Sequence, residues 1–256
     1  LLVKQSDKLA WECLLRASKP PQAGGRIFFE QGFTATVEAR IGERFIIRFN
    51  KPDVLSSLGE IPLPPYINRA VERRDAMNYQ TVYARHEGSV AAPTAGLHFT
   101  LDSLADLQTR GVELVYITLH VGPGTFLPVR TERIADHRMH AEEFGVSAHA
   151  AEAINKARGE GRKVIAVGTT STRVLEHLMR RDGKILPGEG ATDLFITPGF
   201  DFRGVDALIT NFHLPCSTLL MLVSAFGGYD LIREAYHMAV QERYRFFSYG
   251  DVMLIL

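Results

Sequence analysis

The chain has 256 residues, enough for one large domain or two smaller ones, and its 46% hydrophobic and 23% charged composition excludes a disordered polymer. Lys plus Arg number 29 and Asp plus Glu number 29, so no whole-molecule basic field exists to draw in nucleic acid; a local patch remains open. The longest late apolar run, Thr218 to Phe226, is too short to span a bilayer, and the opening Leu1-Leu2-Val3-Lys4 lacks the basic-then-apolar pattern of a signal peptide.

In chain order, residues 1–58 predict short strands over Trp11 to Ala17, Arg26 to Glu30, Thr34 to Arg40 and Arg44 to Phe49, separated by Gly24-Gly25, Gly32 and Gly42. This texture predicts a small all-β barrel domain. The chain starts on Leu rather than Met, with an apolar triplet and no turn before it. Further residues are therefore expected upstream. Pro62-Leu63-Pro64-Pro65 forces extended backbone and marks a domain boundary nearby, giving 1–58 as the barrel and 59–256 as a larger α/β domain.

From there strands and helices alternate. Helices are expected over Leu101 to Arg110 with Gly111 as a stop, His149 to Ala157, Ser171 to Arg181, Thr218 to Phe226 and Leu231 to Tyr244. Strands are expected over Val112 to Val121, Lys163 to Val167, Ala207 to Thr210 and Val252 to Leu256. The alternation predicts a sheet covered by helices. Cys13 and Cys216 match no metal spacing and read as free thiols in a reduced cytoplasm.

Polar residues follow directly after several apolar strands, where open α/β sheets place their ligands. Val164 to Val167 runs into Gly168-Thr169-Thr170-Ser171-Thr172-Arg173, a hydroxyl-rich helix start that either holds an anion or is a plain cap. No Gly-x-Gly-x-x-Gly or Gly-Lys-Ser/Thr pattern points to a dinucleotide or nucleoside triphosphate, and no Gly-x-Ser-x-Gly elbow points to a serine hydrolase. Leu119-His120-Val121-Gly122-Pro123-Gly124 is either a close approach to a ligand or a tight turn. Asp136-His137-Arg138-Met139-His140-Ala141-Glu142 suits acid–base work better than a metal, because no convincing third ligand joins the two histidines. Ala92 to Phe99 carries His98 in a small-residue setting, and Thr210 to Pro215 places Asn211 and His213 at a strand end. Arg243 to Asp251 interleaves aromatics with Arg, which suits either base stacking or a core edge.

These stretches closely resemble the S-adenosylmethionine:tRNA ribosyltransferase-isomerase family of queuosine biosynthesis. The resemblance is carried by Pro62 to Ile67, Tyr79 to Tyr83, Ala92 to Phe99, Leu119 to Val129, His137 to Glu142, Val167 to Glu176, Pro198 to Phe226 and Tyr244 to Ile255. Residues 1–58 resemble the family's inserted barrel only loosely, and the family's upstream Asn-Thr-Arg motif has no counterpart here. The resemblance implies transfer and isomerisation of the ribosyl group of S-adenosylmethionine onto 7-aminomethyl-7-deazaguanine at the tRNA wobble position, releasing adenine and methionine. S-adenosylmethionine is then a co-substrate, with no resident cofactor and no metal. A cytoplasmic monomer that binds tRNA and no membrane is expected.

The sulfonium acidifies the ribose 5′ carbon, so a base near neutral pH is needed. His98, His120, His137 and His140 are the candidates the resemblance implies, with Glu142 orienting or deprotonating the attacking amine. Thr94, Gly122, Gly124, Thr169, Thr170, Ser171, Arg173, Asn211 and His213 are the implied substrate-binding residues. Arg69, Arg73, Arg74, Arg245 and Tyr249 are the implied tRNA contacts. Two rival readings are a metal-dependent hydrolase built on His137, His140 and Glu142, and a catalytically inert tRNA-binding module.

Overall fold

The structure is a computed structural model that describes residues 1–64, 66–122 and 131–256. The first part of the chain forms five antiparallel strands: β1 (Leu2–Gln5), β2 (Ala10–Cys13), β3 (Arg26–Phe28), β4 (Thr34–Ile41) and β5 (Arg44–Phe49). They are ordered β1-β2-β5-β4-β3. Alternation in β4 and β5 buries Ala35, Val37, Phe45, Ile47 and Phe49 on one face, where Cys13, Phe33 and Val54 complete a separate core. Among the described residues no pairing joins β1 to β3. The expected barrel is therefore seen as an open sheet: β3, only three residues long, pairs with β4 alone, and β1 pairs with β2 alone. A short helix, α1 (Val54–Leu58), follows.

The larger part of the chain holds two three-stranded sheets. One is mixed: β8 (Ile165–Val167) runs parallel to β10 (Ala207–Asn211), and β11 (Val252–Ile255) returns antiparallel on the other side of β10. The second is antiparallel, ordered β6 (Thr118–His120), β7 (Glu142–Val146) and β9 (Gly188–Thr192). The long expected strand over Val112 to Val121 shrinks to the three residues of β6, because its pairing with β7 covers only Thr118 to His120.

Helices pack around these sheets. Besides the single turn α2 (Asp75–Asn78), they are α3 (Leu101–Thr109), α4 (Ala148–Gly159), α5 (Thr169–Asp182), α6 (Thr218–Gly227) and α7 (Tyr229–Gln241). α3 opens on a reciprocal cap between Thr100 and Ser103, and α4 on the Ser147 hydroxyl. The α4 face made of Ala150, Ala151, Ala153, Ile154 and Ala157 is buried; its small side chains let the helix lie close to its neighbours. α5 buries Val174, Leu175 and Leu178 in the main core with Leu208, Leu222 and Val223, and ends on Gly183 in the left-handed conformation. The fully buried Glu176 carboxylate accepts the Arg203 and Gly204 amides at 2.9 and 2.7 Å, tying the connection into β10 to the middle of α5. Among the described residues no helix is long and apolar enough to cross a membrane.

Candidate active site

Parallel pairing places Val167 opposite Ile209, so the chain leaves β8 and β10 side by side. The Gly168 amide donates to the Ile209 carbonyl at 2.8 Å, fixing the start of α5 against the end of β10. β11 sets Val252 opposite Asn211, which brings residues 245–251 to the same sheet end. A 3₁₀ turn, Thr94–His98, docks there as well. Gly96 lets that turn approach: a Cβ on it would lie 2.0 Å from the Tyr83 hydroxyl. The four segments enclose one cleft, whose wall includes Thr94, Thr169, Thr170, Ser171, Asn211 and His213.

The Thr94 hydroxyl donates to Asn211 Oδ1 at 3.0 Å, and Asn211 Nδ2 lies 3.1 Å from His98 Nε2. With the amide so oriented, Nδ2 donates and His98 Nε2 accepts, so neutral His98 carries its proton on Nδ1. Burial lowers the His98 pKa below its usual value; Asp251 pulls the other way and Arg245 adds to the fall. The imidazole is therefore unprotonated near neutral pH. His213 accepts or donates at 2.7 Å with the Thr210 hydroxyl, and its own amide donates to Tyr236 Oη at 2.8 Å. Burial holds its pKa down at about 4, which makes it a neutral hydrogen-bonding group.

The start of α5 carries no side-chain cap. Its N-cap is Gly168 at φ 92°, so of the two readings of this helix start the plain hydroxyl cap is not realised; of the helix's own hydroxyls, Thr172 Oγ1 returns to the Gly168 carbonyl at 3.1 Å. Gly168 to Ser171 line the cleft, so the positive end of the helix lies at its wall, which suits an anion.

The other expected residues are placed differently. Leu119 and Val121 line the cleft, and strand alternation turns His120 away; its buried Nδ1 has no hydrogen-bond partner among the described residues, and it packs beside Gly88. His137 packs on Phe195 with ring centroids 5.1 Å apart, and His140 is exposed. Gly122 adjoins Val121, and Gly124 lies outside the described residues.

Glu142 and Arg173 form a buried ion pair at 2.5 Å beneath the start of α5. Arg173 also donates to the Leu194 and Thr192 carbonyls at 2.9 and 3.2 Å, and Glu142 takes a hydrogen bond from the Thr170 side chain. Burial raises Glu142 and lowers Arg173, each opposed by the other's charge. Both side chains brace the α5 start from behind. Among the described residues no group of three or more His, Cys, Asp or Glu side chains is arranged to hold a metal ion.

Of the expected tRNA contacts, Arg69 makes two hydrogen bonds of 2.7 Å to the buried Asp75 carboxylate, and Tyr249 Oη donates to it at 2.9 Å. Arg69 holds Asp75 far below the usual carboxylate range, while burial and the Asp75 bond push Tyr249 up to about 12. Arg74 pairs with Glu72 at 2.6 Å, Arg245 with Asp251 at 3.3 Å, and Arg73 is exposed. Sequence reasoning missed Tyr66, Ser217, Phe247 and Ser248 on the cleft wall. Two carried a signal: Tyr66 follows the Pro62–Pro65 break directly, and Ser248 interrupts the aromatic segment.

The family model described as queuosine biosynthesis protein matches residues 1–255. The S-adenosylmethionine:tRNA ribosyltransferase-isomerase of Syntrophotalea carbinolica is 53% identical over 252 residues, covering 96% of this chain and 73% of that protein. Its namesake in Geobacter metallireducens is 52% identical over 250 residues, with the same two coverages of 96% and 73%. A crystal structure of the S-adenosylmethionine tRNA ribosyltransferase from Thermotoga maritima matches 100% of this chain and 73% of its own, with TM-score 0.51 and 33% identity.

Proposed function

The chain belongs to the S-adenosylmethionine:tRNA ribosyltransferase-isomerase family of queuosine biosynthesis, and on that premise we propose that its active site is the cleft where α5 begins. The reaction is transfer and isomerisation of the ribosyl group of S-adenosylmethionine. The acceptor in this reading is 7-aminomethyl-7-deazaguanine at the wobble position of tRNA, and the products are epoxyqueuosine-tRNA, adenine and methionine. S-adenosylmethionine is consumed as a co-substrate, with no resident cofactor.

The observation that carries the reading is the meeting of an uncapped helix start and a neutral, oriented histidine at one sheet end. The amides of the first turn of α5, with the Thr169 and Ser171 hydroxyls, receive the methionine carboxylate, while Thr170, whose hydroxyl is given to Glu142, holds that turn in place. His98 is the base that removes the proton from the 5′ carbon beside the sulfonium, acting through Nε2 once the substrate has displaced its bond to Asn211 Nδ2. It is favoured over His120, His137 and His140 because, among the described residues, it alone of the four bonds to a residue of the cleft wall, Asn211. His213 and Thr94 orient substrate as neutral hydrogen-bonding groups. Gly122 and Gly124 retain a substrate-binding role only as part of the segment that follows the wall residue Val121.

Glu142 and Arg173 serve as positioning residues. Exposed Arg73, with Arg74 and Arg245, offers cations to tRNA phosphates, and Arg69 and Tyr249 shape that surface through Asp75. Residues 1–58 are a separate all-β domain in this reading. Their own core, and the absence of any of them from the cleft wall, support that division. A tRNA substrate and two free cysteines fit a cytoplasmic enzyme, which we take to act as a monomer.

Incubation with precursor-modified tRNA and S-adenosylmethionine, followed by chromatography, should yield free adenine in step with modified tRNA. Binding of tRNA without adenine release would instead support the inert-module reading. Ser171→Ala should raise the KM for S-adenosylmethionine roughly tenfold, the value of one hydrogen bond to a charged group, with a smaller change in kcat. Steady-state kinetics over a range of S-adenosylmethionine concentrations checks this, and an unchanged KM would remove the carboxylate from the start of α5.

A further inference from the structure

Three aromatic rings line the cleft among the described residues: Tyr66, Phe212 and Phe247. Phe212 is buried and packed against Tyr236, Tyr244 and Phe246, so its faces are already covered. Tyr66 and Phe247 are half-buried, with ring centroids 4.9 Å apart and planes tilted by 45°. Together they leave an aromatic surface open to the cleft.

That surface is held with some care. Phe247 sits at φ 71°, a left-handed conformation that a bulky side chain rarely adopts. Its amide donates to the Phe212 carbonyl at 3.0 Å, and its carbonyl accepts from the Gly250 amide at 3.0 Å. Gly250 is required in this turn: a Cβ there would lie 2.4 Å from the Arg245 carbonyl oxygen. Tyr66 Oη lies 2.5 Å from Ser248 Oγ, and Tyr79 Oη approaches the same buried serine at 3.3 Å. A strained backbone that neighbouring contacts over-determine is a frequent feature of ligand clamps.

We propose that Tyr66 and Phe247 form the nucleobase wall of the cleft, on which the adenine ring of S-adenosylmethionine lies until it is released. The inference rests on the functional reading above and adds the second end of the substrate. S-adenosylmethionine carries a carboxylate at one end and a purine at the other. With the carboxylate on the start of α5, the purine needs a flat apolar partner within the same cleft, and these two rings supply it. Stacking on aromatic side chains recognises a purine by its face, which leaves its ring nitrogens accessible to a proton donor as the base departs.

The test uses product inhibition. Adenine, methionine and free 7-aminomethyl-7-deazaguanine are each titrated as inhibitors in the tRNA assay, for wild type and for Tyr66→Leu, Tyr66→Phe and Phe247→Gly. Phe247→Gly removes the ring while relieving the positive φ, and melting temperatures verify folding. Adenine inhibition should weaken roughly tenfold in Tyr66→Leu and in Phe247→Gly, with methionine inhibition unchanged. Tyr66→Phe, which keeps the ring, should behave as wild type.

Three results overturn the wall. The first is unchanged adenine inhibition in both ring-deleted variants of an enzyme that still releases adenine. The second is loss of inhibition by free 7-aminomethyl-7-deazaguanine in place of adenine, which would give the rings to the tRNA base. The third is equal weakening of adenine and methionine inhibition, which marks a general collapse of the cleft. A wild-type protein that releases no adenine from S-adenosylmethionine and precursor tRNA refutes the function itself and removes the basis of the wall with it.

Discussion

Glu142→Gln should destabilise the folded protein by about 3 to 5 kcal/mol, lowering the melting temperature by roughly 10 °C. The cause is the charge left behind. Arg173 is almost wholly enclosed, and a guanidinium does not shed its proton at any accessible pH. Glutamine keeps the size and can accept one hydrogen bond, but it cannot neutralise the cation. Two carbonyls, of Leu194 and Thr192, and the charge of Asp193 would then be the remaining compensation for a buried positive charge. Replacing both members, as Glu142→Leu with Arg173→Met, should recover much of the loss, because two apolar side chains carry no desolvation penalty. Calorimetry on the two single variants and the double variant measures this as a coupling energy. If Glu142→Gln melts within 2 °C of wild type, Glu142 is not paired as described. Because the pair lies under the α5 start and Glu142 bonds to Thr170, a properly folded double variant should still bind S-adenosylmethionine less well.

His98→Gln should reduce the turnover number by roughly 10²- to 10⁴-fold, the usual contribution of a positioned proton-transfer group, with little change in melting temperature. The pH dependence has a definite sign. A base works when unprotonated, so the rate rises with pH through its pKa. Burial sets His98 below the usual value, and the acid limb of the wild-type profile should therefore lie below about pH 6.5. Asn211→Asp tests the orientation. A carboxylate beside His98 would favour the imidazolium and a proton on Nε2, moving the acid limb upward by about a unit or more. A residue of merely structural importance would lower the rate without moving the limb. A His98→Gln enzyme with near-normal turnover would pass the role to another group.

The long elements were legible because their burial is periodic. Val174, Leu175 and Leu178 announce α5, and the alternation of Phe45, Ile47 and Phe49 announces β5, whose expected bounds are the observed ones. Strands defined by their partners were not. β9 reads Gly-Glu-Gly-Ala-Thr, with no apolar alternation, and is a strand because β7 pairs with it from Glu142 to Val146. The site shows the same division. Helix starts and strand ends are local features, so Thr169, Thr170, Ser171 and Asn211 could be marked as candidates from the chain alone. Which way a side chain faces is a property of pairing. His120 looked as eligible as His98 until β6 was paired and turned it from the cleft. Arg69 and Arg173 looked like free cations because their carboxylate partners cannot be assigned from spacing alone: Asp75 is six residues from Arg69, and Glu142 thirty-one from Arg173.

The bare glycine at the start of α5 has an implication for donor choice. Among the described residues no side chain caps those amides, so a ligand that brings an anionic oxygen gains hydrogen bonds that water supplies less well. Decarboxylated S-adenosylmethionine, the polyamine-forming analogue, has the same sulfonium and the same purine but arrives with no such oxygen. On the proposed placement of the carboxylate, the enzyme should turn over the decarboxylated analogue far more slowly, a choice between two metabolites identical at the reacting carbon made at a point remote from the bond that breaks.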